Sequence, residues 1–317
     1  MSLTRRFLAC SGGGDRGIVL LGMVKQLAIS NGVEAVKYDM MAGISSGSLI
    51  TSLISTIDTN NFFKEIDEKV NICTDPNFQV VSGWTVGEVI NLIDAIMFHQ
   101  SIYNSTPLKN MINKHFSLNK MKIPFVVGAY NKTLSQYETL NPTPESVLAS
   151  CSLPIILPHV SIEKVIDNKK IKHDYEDGAV KHIIPVDEIR AFVGQSEEKC
   201  HVDVLVCFPI NNTETFYKML VPQHGNTLLR AARRSLADVM LNVLSNDLNN
   251  LAQLMNVPYE KFIETPYNEF NYNNLTLQII SPEYGWHSNF LHMNRENSLK
   301  LFQSGMDTVN KFMKTKK

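Results

Sequence analysis

Two strand–turn–helix corners lie between Phe7 and Leu53, and they constrain the fold more than any other feature of the chain. The first begins as a short apolar strand, Phe7-Leu8-Ala9-Cys10. It turns through Ser11-Gly12-Gly13-Gly14-Asp15-Arg16-Gly17 and opens a helix from Ile18 to about Leu27. The second ends a strand at Met41-Ala42, turns through Gly43-Ile44-Ser45-Ser46-Gly47, and opens a helix from Ser48 to about Ser55. Strands that feed helices in this way belong to an α/β fold. The glycine turn is a nest of backbone N–H groups at a helix N-terminus, which favours negative charge. The second turn is a G-x-S-x-G elbow, which presents a serine Oγ at the sheet edge while its glycines relieve the crowding.

The rest of the chain continues the alternation. Pro124–Ala129 and His201–Phe208 read as buried strands, and Leu275–Ile280 as another. Ser105-Thr106-Pro107-Leu108 reads as a helix start, and Pro144–Cys151 as a helix. It enters Leu153–Pro158, an extended, non-helical loop bracketed by prolines. His173–Ala179 reads as a turn, with Gly178 permitting positive φ. Asp58–Gln79 is a polar stretch, and Val86–Phe98 a helix with a wide apolar arc, suited to the core or to an acyl-chain pocket. Asn226 to about Met255 forms a long amphipathic helix, with Leu228, Ala231, Leu236, Val239, Met240, Val243, Leu244, Leu248 and Leu251 at helical spacing. Its Arg230, Arg233 and Arg234 read as a solvated face rather than a phosphate site. A last helix runs from Asn294 to Met313. With no repeat or linker in view, the expectation is one α/β domain over residues 5–315, a mainly parallel central sheet flanked by helices.

The glycine turn by itself is ambiguous. Gly12-x-Gly14-x-x-Gly17 also fits a dinucleotide fingerprint, with Asp39 at the distance of a ribose-binding acid. Against that, Asp39 precedes the apolar end of its strand instead of closing it. No G-K-[ST] follows the glycines, so a P-loop is excluded. Ser45 as a nucleophile needs a base. A Ser–acid–His order would draw on His224, His287 or His292, yet none of the nine histidines sits in a diagnostic context.

Three motifs together resemble a known family. Gly12-Gly13-Gly14-Asp15-Arg16-Gly17 is similar to the G-G-G-x-R-G loop of patatin-like phospholipases, Gly43–Gly47 to their G-x-S-x-G, and Asp177-Gly178-Ala179 to their D-G-[GA], in the family's order. Ala149-Ser150-Cys151-Ser152-Leu153-Pro154 resembles a further segment. Pro185 and Gly305-Met306-Asp307 extend the likeness over nearly the whole chain. The resemblance implies a patatin-like three-layer architecture and a lipid acyl hydrolase working through an acyl-serine. It implies a Ser45–Asp177 dyad without histidine, with Gly12, Gly13, Gly14 and Asp15 forming the oxyanion hole. Arg16 would anchor the loop or bind phosphate, Gly43 and Gly47 would shape the elbow, and Gly178 and Ala179 the turn of the aspartate motif. A free Asp, with a pKa of about 4, is a weak base for a hydroxyl, so the site must desolvate Asp177.

Net charge is −1 and the pI about 6.8, against a nucleic-acid partner and against global attraction to an anionic membrane. The expected partner is a phospholipid or other acyl lipid, met in transient peripheral contact with a membrane. The N-terminus shows no secretory h-region, and the five cysteines have no metal-like spacing. Reduced thiols and a cytoplasmic or membrane-surface location follow as expectations. Nothing in the sequence asks for a cofactor, and no clustered D-x-D pattern marks a calcium site.

Overall fold

The computed structural model describes residues 4–75, 101, 103–221, 227–283 and 294–316. In chain order its strands are β1 (Thr4–Cys10), β2 (Met40–Ile44), β3 (Phe125–Asn131), β4 (Gln136–Leu140), β5 (Val160–Ile166), β6 (Lys169–Asp177), β7 (Lys199–Leu205), β8 (Tyr267–Tyr272) and β9 (Leu275–Ile280). The helices are α1 (Gly17–Asn31), α2 (Ser46–Ile54), α3 (Phe62–Cys73), α4 (Thr106–His115), α5 (Pro144–Ser150), α6 (Val186–Gly194), α7 (Thr213–Leu220), α8 (Thr227–Leu254), α9 (Tyr259–Phe262) and α10 (Arg295–Thr315).

The strands form one sheet whose parallel part runs β3-β2-β1-β7-β9, with β8 antiparallel at the far end. The β1 run Phe7–Cys10 is wholly buried because both faces of a central parallel strand are covered by helices. α1 is apolar all round and correspondingly buried nearly all round, from Gly17 to Val24 and again at Gln26–Ala28. It packs on α10 so closely that the backbones touch. A Cβ on Gly22 would stand 2.1 Å from the Phe302 carbonyl oxygen, and one on Gly305 2.1 Å from that of Val19.

β3 deserves a closer look, because its pairing locates the site. Its residues 129–131 pair with both β4 and β6, and its residues 127–128 with both β4 and β2. A strand has two edges, so β2 and β6 share one edge of β3 and β4 takes the other. β2 ends there with Ile44 beside Gly128, and β6 arrives with Asp177 beside Ala129.

Several sequence expectations need correction. His173–Ala179 is not a turn: residues up to Asp177 complete β6, held by pairing to β3 and β5, and a 3-10 turn starts only at Gly178. Gly178 does not take a positive φ; a Cβ there would meet the Gly128 carbonyl oxygen at 2.5 Å. Leu153–Pro158 is a turn rather than an extended loop, with Ile155 at φ 70 and the Leu157 N–H donating to Leu153 O at 2.9 Å. The polar stretch after Asp58 contains α3, which buries Phe62, Ile66, Val70 and Cys73 at helical spacing. On α8 the buried stripe covers Leu244, Leu248 and Leu251, whereas Leu236 and Val239 are exposed. The helix expected over Val86–Phe98 lies outside the described residues. Among the described residues no helix is long and apolar enough to cross a membrane.

Gly22→Ala should lower the thermal midpoint, since overpacking backbone against backbone costs about 1–3 kcal/mol or more. Gly194→Ala, where nothing lies within 4 Å of an added Cβ, should leave it unchanged or raised. Thermal melts of the two variants beside the wild type make the comparison.

Candidate active site

Ser45 sits between β2 and α2 at φ 54, ψ −129, a strained conformation for a residue with a side chain. The glycines around it make the bend possible. A Cβ on Gly43 would fall 2.4 Å from the backbone of Gly47, and one on Gly47 2.3 Å from the Cys10 carbonyl oxygen. The second of these contacts joins the elbow to the end of β1, where the glycine turn begins. A Cβ on Gly12 would meet the Ser45 Cβ at 3.2 Å, and one on Gly17 the Ser46 Cβ at 2.8 Å. The two corners therefore interlock. Ser48 donates its hydroxyl to Ser45 O at 2.7 Å, while the Ser46 hydroxyl is buried with no partner.

The edge shared by β2 and β6 brings Asp177 to the elbow, and one segment ties the two residues together. The Ser45 N–H donates to Ser150 Oγ at 2.8 Å, and that hydroxyl donates to Gly128 O at 2.7 Å. Two residues further, Ser152 O accepts the Asp177 N–H at 2.9 Å. The Cys151 thiol between them donates to Ser45 O at 3.1 Å. The likeness of Ala149–Pro154 to a family segment marks this stretch in the sequence, and its bonds to both Ser45 and Asp177 are visible only in the structure.

The glycine turn modifies one expectation. The Gly12 N–H is already committed to Ile183 O at 2.9 Å, so Gly12 is not a free oxyanion donor. Its place is close packing against Ser45. The first bond of the turn runs from the Arg16 N–H to Gly13 O at 3.2 Å, leaving the N–H groups of Gly13, Gly14 and Asp15 ahead of it. Gly14 has φ 62, and a Cβ on Gly13 would meet the Cys207 Cβ at 2.5 Å. Arg16 is buried at 3% exposure, with Nη2 on Met219 O at 3.0 Å, Nη1 on Asp15 Oδ1 at 3.3 Å and its guanidinium over the Phe208 ring. It anchors the turn, and so enclosed a guanidinium does not present itself to a phosphate.

Asp177 is fully buried. Its Oδ1 accepts the Ala179 N–H at 2.8 Å, and Oδ2 has no partner. Burial pushes the carboxyl up to about 7, against the smaller opposing pull of the nearby Ser45 hydroxyl, which stands short of a hydrogen bond of ordinary geometry, and of the Ala179 N–H.

The three histidines of the triad alternative lie outside the described residues. Of those described, His173 meets Asn131, His201 meets Asp203, and His182 meets Asp247. Asp39 is exposed at the start of β2, bonded to the Arg6 N–H at 2.7 Å. It stands at the opposite end of the sheet from the glycine turn, which overturns the dinucleotide reading. All five cysteines are free thiols.

A family model described as patatin-like phospholipase matches residues 8–189. The chain belongs to the patatin-like phospholipase family. Among solved structures it is similar to human GIVD cytosolic phospholipase A2, at 8% identity and a TM-score of 0.51, over 96% of this chain and 60% of that one. The chain thus spans well under two thirds of the human protein, and at that identity the likeness is one of fold. VipD from Legionella pneumophila also matches, at 13% identity and a TM-score of 0.39, over 99% of this chain and 67% of that one. No curated protein matches the chain in sequence.

The Asp177 carboxyl carries a stability cost whose sign follows from linkage. Its folded pKa of about 7 lies above the ordinary aspartate value of 3.8, so the native state binds the proton more tightly. Stability is therefore lost as pH rises from about 4 to about 7, by about 1.4 kcal/mol for each tenfold difference in proton affinity. Asp177→Asn removes that cost. Its thermal midpoint should exceed that of the wild type by more at about pH 8 than at about pH 5.

Proposed function

We propose that this protein is a lipid acyl hydrolase of phospholipase A type, cleaving carboxylic esters of phospholipids or related lipids through an acyl-serine. The observation that supports the reading is a buried Asp177 carboxyl whose Oδ2 has no hydrogen-bond partner, at the end of a strand that shares one edge of β3 with the strand leading to Ser45, itself at positive φ. Ser45 Oγ attacks the ester carbonyl while its proton passes to Asp177. The N–H groups of Gly13, Gly14 and Asp15 hold the resulting oxyanion, each worth on the order of 10²–10³ in turnover. Collapse of the tetrahedral intermediate expels the alcohol half of the lipid, which takes the proton from Asp177. Water then attacks the acyl-serine while Asp177 again accepts a proton; collapse of this second intermediate breaks the acyl–Oγ bond, Asp177 returns the proton to Ser45 Oγ, and the fatty acid leaves.

Desolvation makes this dyad workable. A carboxyl with a pKa of about 7 is a far better base than an exposed one, and it needs no histidine behind it. Family membership supports the lipid substrate class, and contact with a lipid surface is proposed as peripheral and transient. The sheet continues beyond the family match through β7, β9 and β8, which supports treating residues 5–315 as one unit.

Ester hydrolysis should rise with pH through a midpoint near 7 and then level, since Asp177 must be ionised to accept the proton. Ser45→Ala and Asp177→Asn should each reduce turnover by several orders of magnitude, and a fluorophosphonate should label the wild type but not Ser45→Ala. A phospholipid panel read by mass spectrometry, run with both variants, checks the set. Wild-type hydrolysis in either variant would sink the dyad.

A further inference from the structure

Asp247 stands on α8 in the buried stripe of Leu244, Leu248 and Leu251, with no exposed surface. A carboxylate in such a place is costly unless its oxygens are fully bonded. Here they are. Oδ2 accepts the N–H groups of Ile183 at 2.6 Å and Ile184 at 2.9 Å, and Oδ1 lies 2.6 Å from Nδ1 of His182. The next link reaches the site, because the carbonyl of Ile183 accepts the Gly12 N–H at 2.9 Å. One residue thus has α8 on its N–H and the glycine turn on its C=O. Its neighbour His182 donates its N–H to Gly178 O at 3.0 Å, within the aspartate motif.

We propose that Asp247 is a positioning residue for the reaction, fixing the Ile183 peptide so that Gly12 stays against Ser45 and the amides after Gly12 meet the oxyanion. The proposal rests on the acyl-hydrolase reading above. His182 takes part as a clamp and not as the base for Ser45. Its Nδ1 faces Asp247, its Nε2 lies 3.8 Å from Asp187, and its ring packs edge-on against Tyr137 at 4.8 Å. Tyr137 in turn bonds Glu188 at 3.0 Å. No second anchor for the Ile183 N–H stands within this set, so the loop depends on the α8 carboxylate.

The test measures kcat, KM and the fluorophosphonate labelling rate for the wild type, Asp247→Ala, Asp247→Leu and Asp247→Asn, each well below its own melting temperature. Asp247→Leu suits the leucine stripe and carries the test if Asp247→Ala does not fold. The alanine and leucine variants should lose on the order of tenfold to a hundredfold in kcat, with KM nearly unchanged and labelling slowed in parallel. Asp247→Asn keeps an acceptor for the two amides and should recover a large part of the loss. A kcat at the wild-type level in a folded alanine or leucine variant, with only the melting temperature lowered, would overturn the proposal. Failure of the underlying reading looks different: the wild type itself neither hydrolyses ester nor takes the label at Ser45, and the proposal falls with it.

Discussion

The site depends on a close approach of two backbones. The glycine turn after β1 and the serine elbow after β2 touch at Gly47 against Cys10 and Ser11, at Gly12 against Ser45, and at Gly17 against Ser46. Parallel pairing of β1 and β2, with Cys10 beside Gly43, brings both corners to the same end of the sheet. Glycines then allow them to close the remaining distance. Side chains at these points would separate the amides from the hydroxyl by more than a hydrogen bond can bridge. Five of the six glycines in the two corners are therefore explained by contact, and Gly14 by a positive φ.

Around that contact the molecule accepts strain and desolvation. Ser45 is held at positive φ, with its N–H on the Ser150 hydroxyl and its carbonyl accepting from Ser48, from Leu49 and from the Cys151 thiol. Asp177 is stripped of water, and one of its oxygens is left without a partner. Both features oppose stability and suit the proposed chemistry. They persist because the surrounding parallel core is thoroughly buried and the α1–α10 contact clamps the helical layer beside it.

β3 is the element that converts a sheet into a site. By giving one edge first to β2 and then to β6, it sets the end of one strand facing the end of another that runs the opposite way. The segment Ser150–Ser152 crosses that junction and bonds to both sides. α8 adds a second tie through Asp247 and Ile183.

Local patterning determined a good deal on its own. Apolar runs announced β1, the end of β2, β3, β7 and β9, because strands buried on both faces are apolar nearly throughout. Ser45 stood out as a candidate because few structural demands place a serine between those glycines, and Asp177 only through the likeness of Asp177-Gly178-Ala179 to a family motif. Less legible were the antiparallel strands β4, β5, β6 and β8, whose half-exposed, polar sequences carry little periodic signal. β6 was mistaken for a turn for that reason, although its Gly178 is dictated by a neighbouring carbonyl. Long-range partners are invisible to any local pattern. That the Gly12 amide is spent on Ile183, that Arg16 is enclosed, that Asp39 lies at the far end of the sheet, and that Asp247 holds the loop all depend on contacts between residues distant in sequence. The sequence by itself determined the motif residues on which the proposed chemistry rests and most of the strands that form the core. Only the tertiary structure decided which amides remain free and how deeply Asp177 is buried, because hydrogen-bond competition and desolvation exist only once the chain has packed.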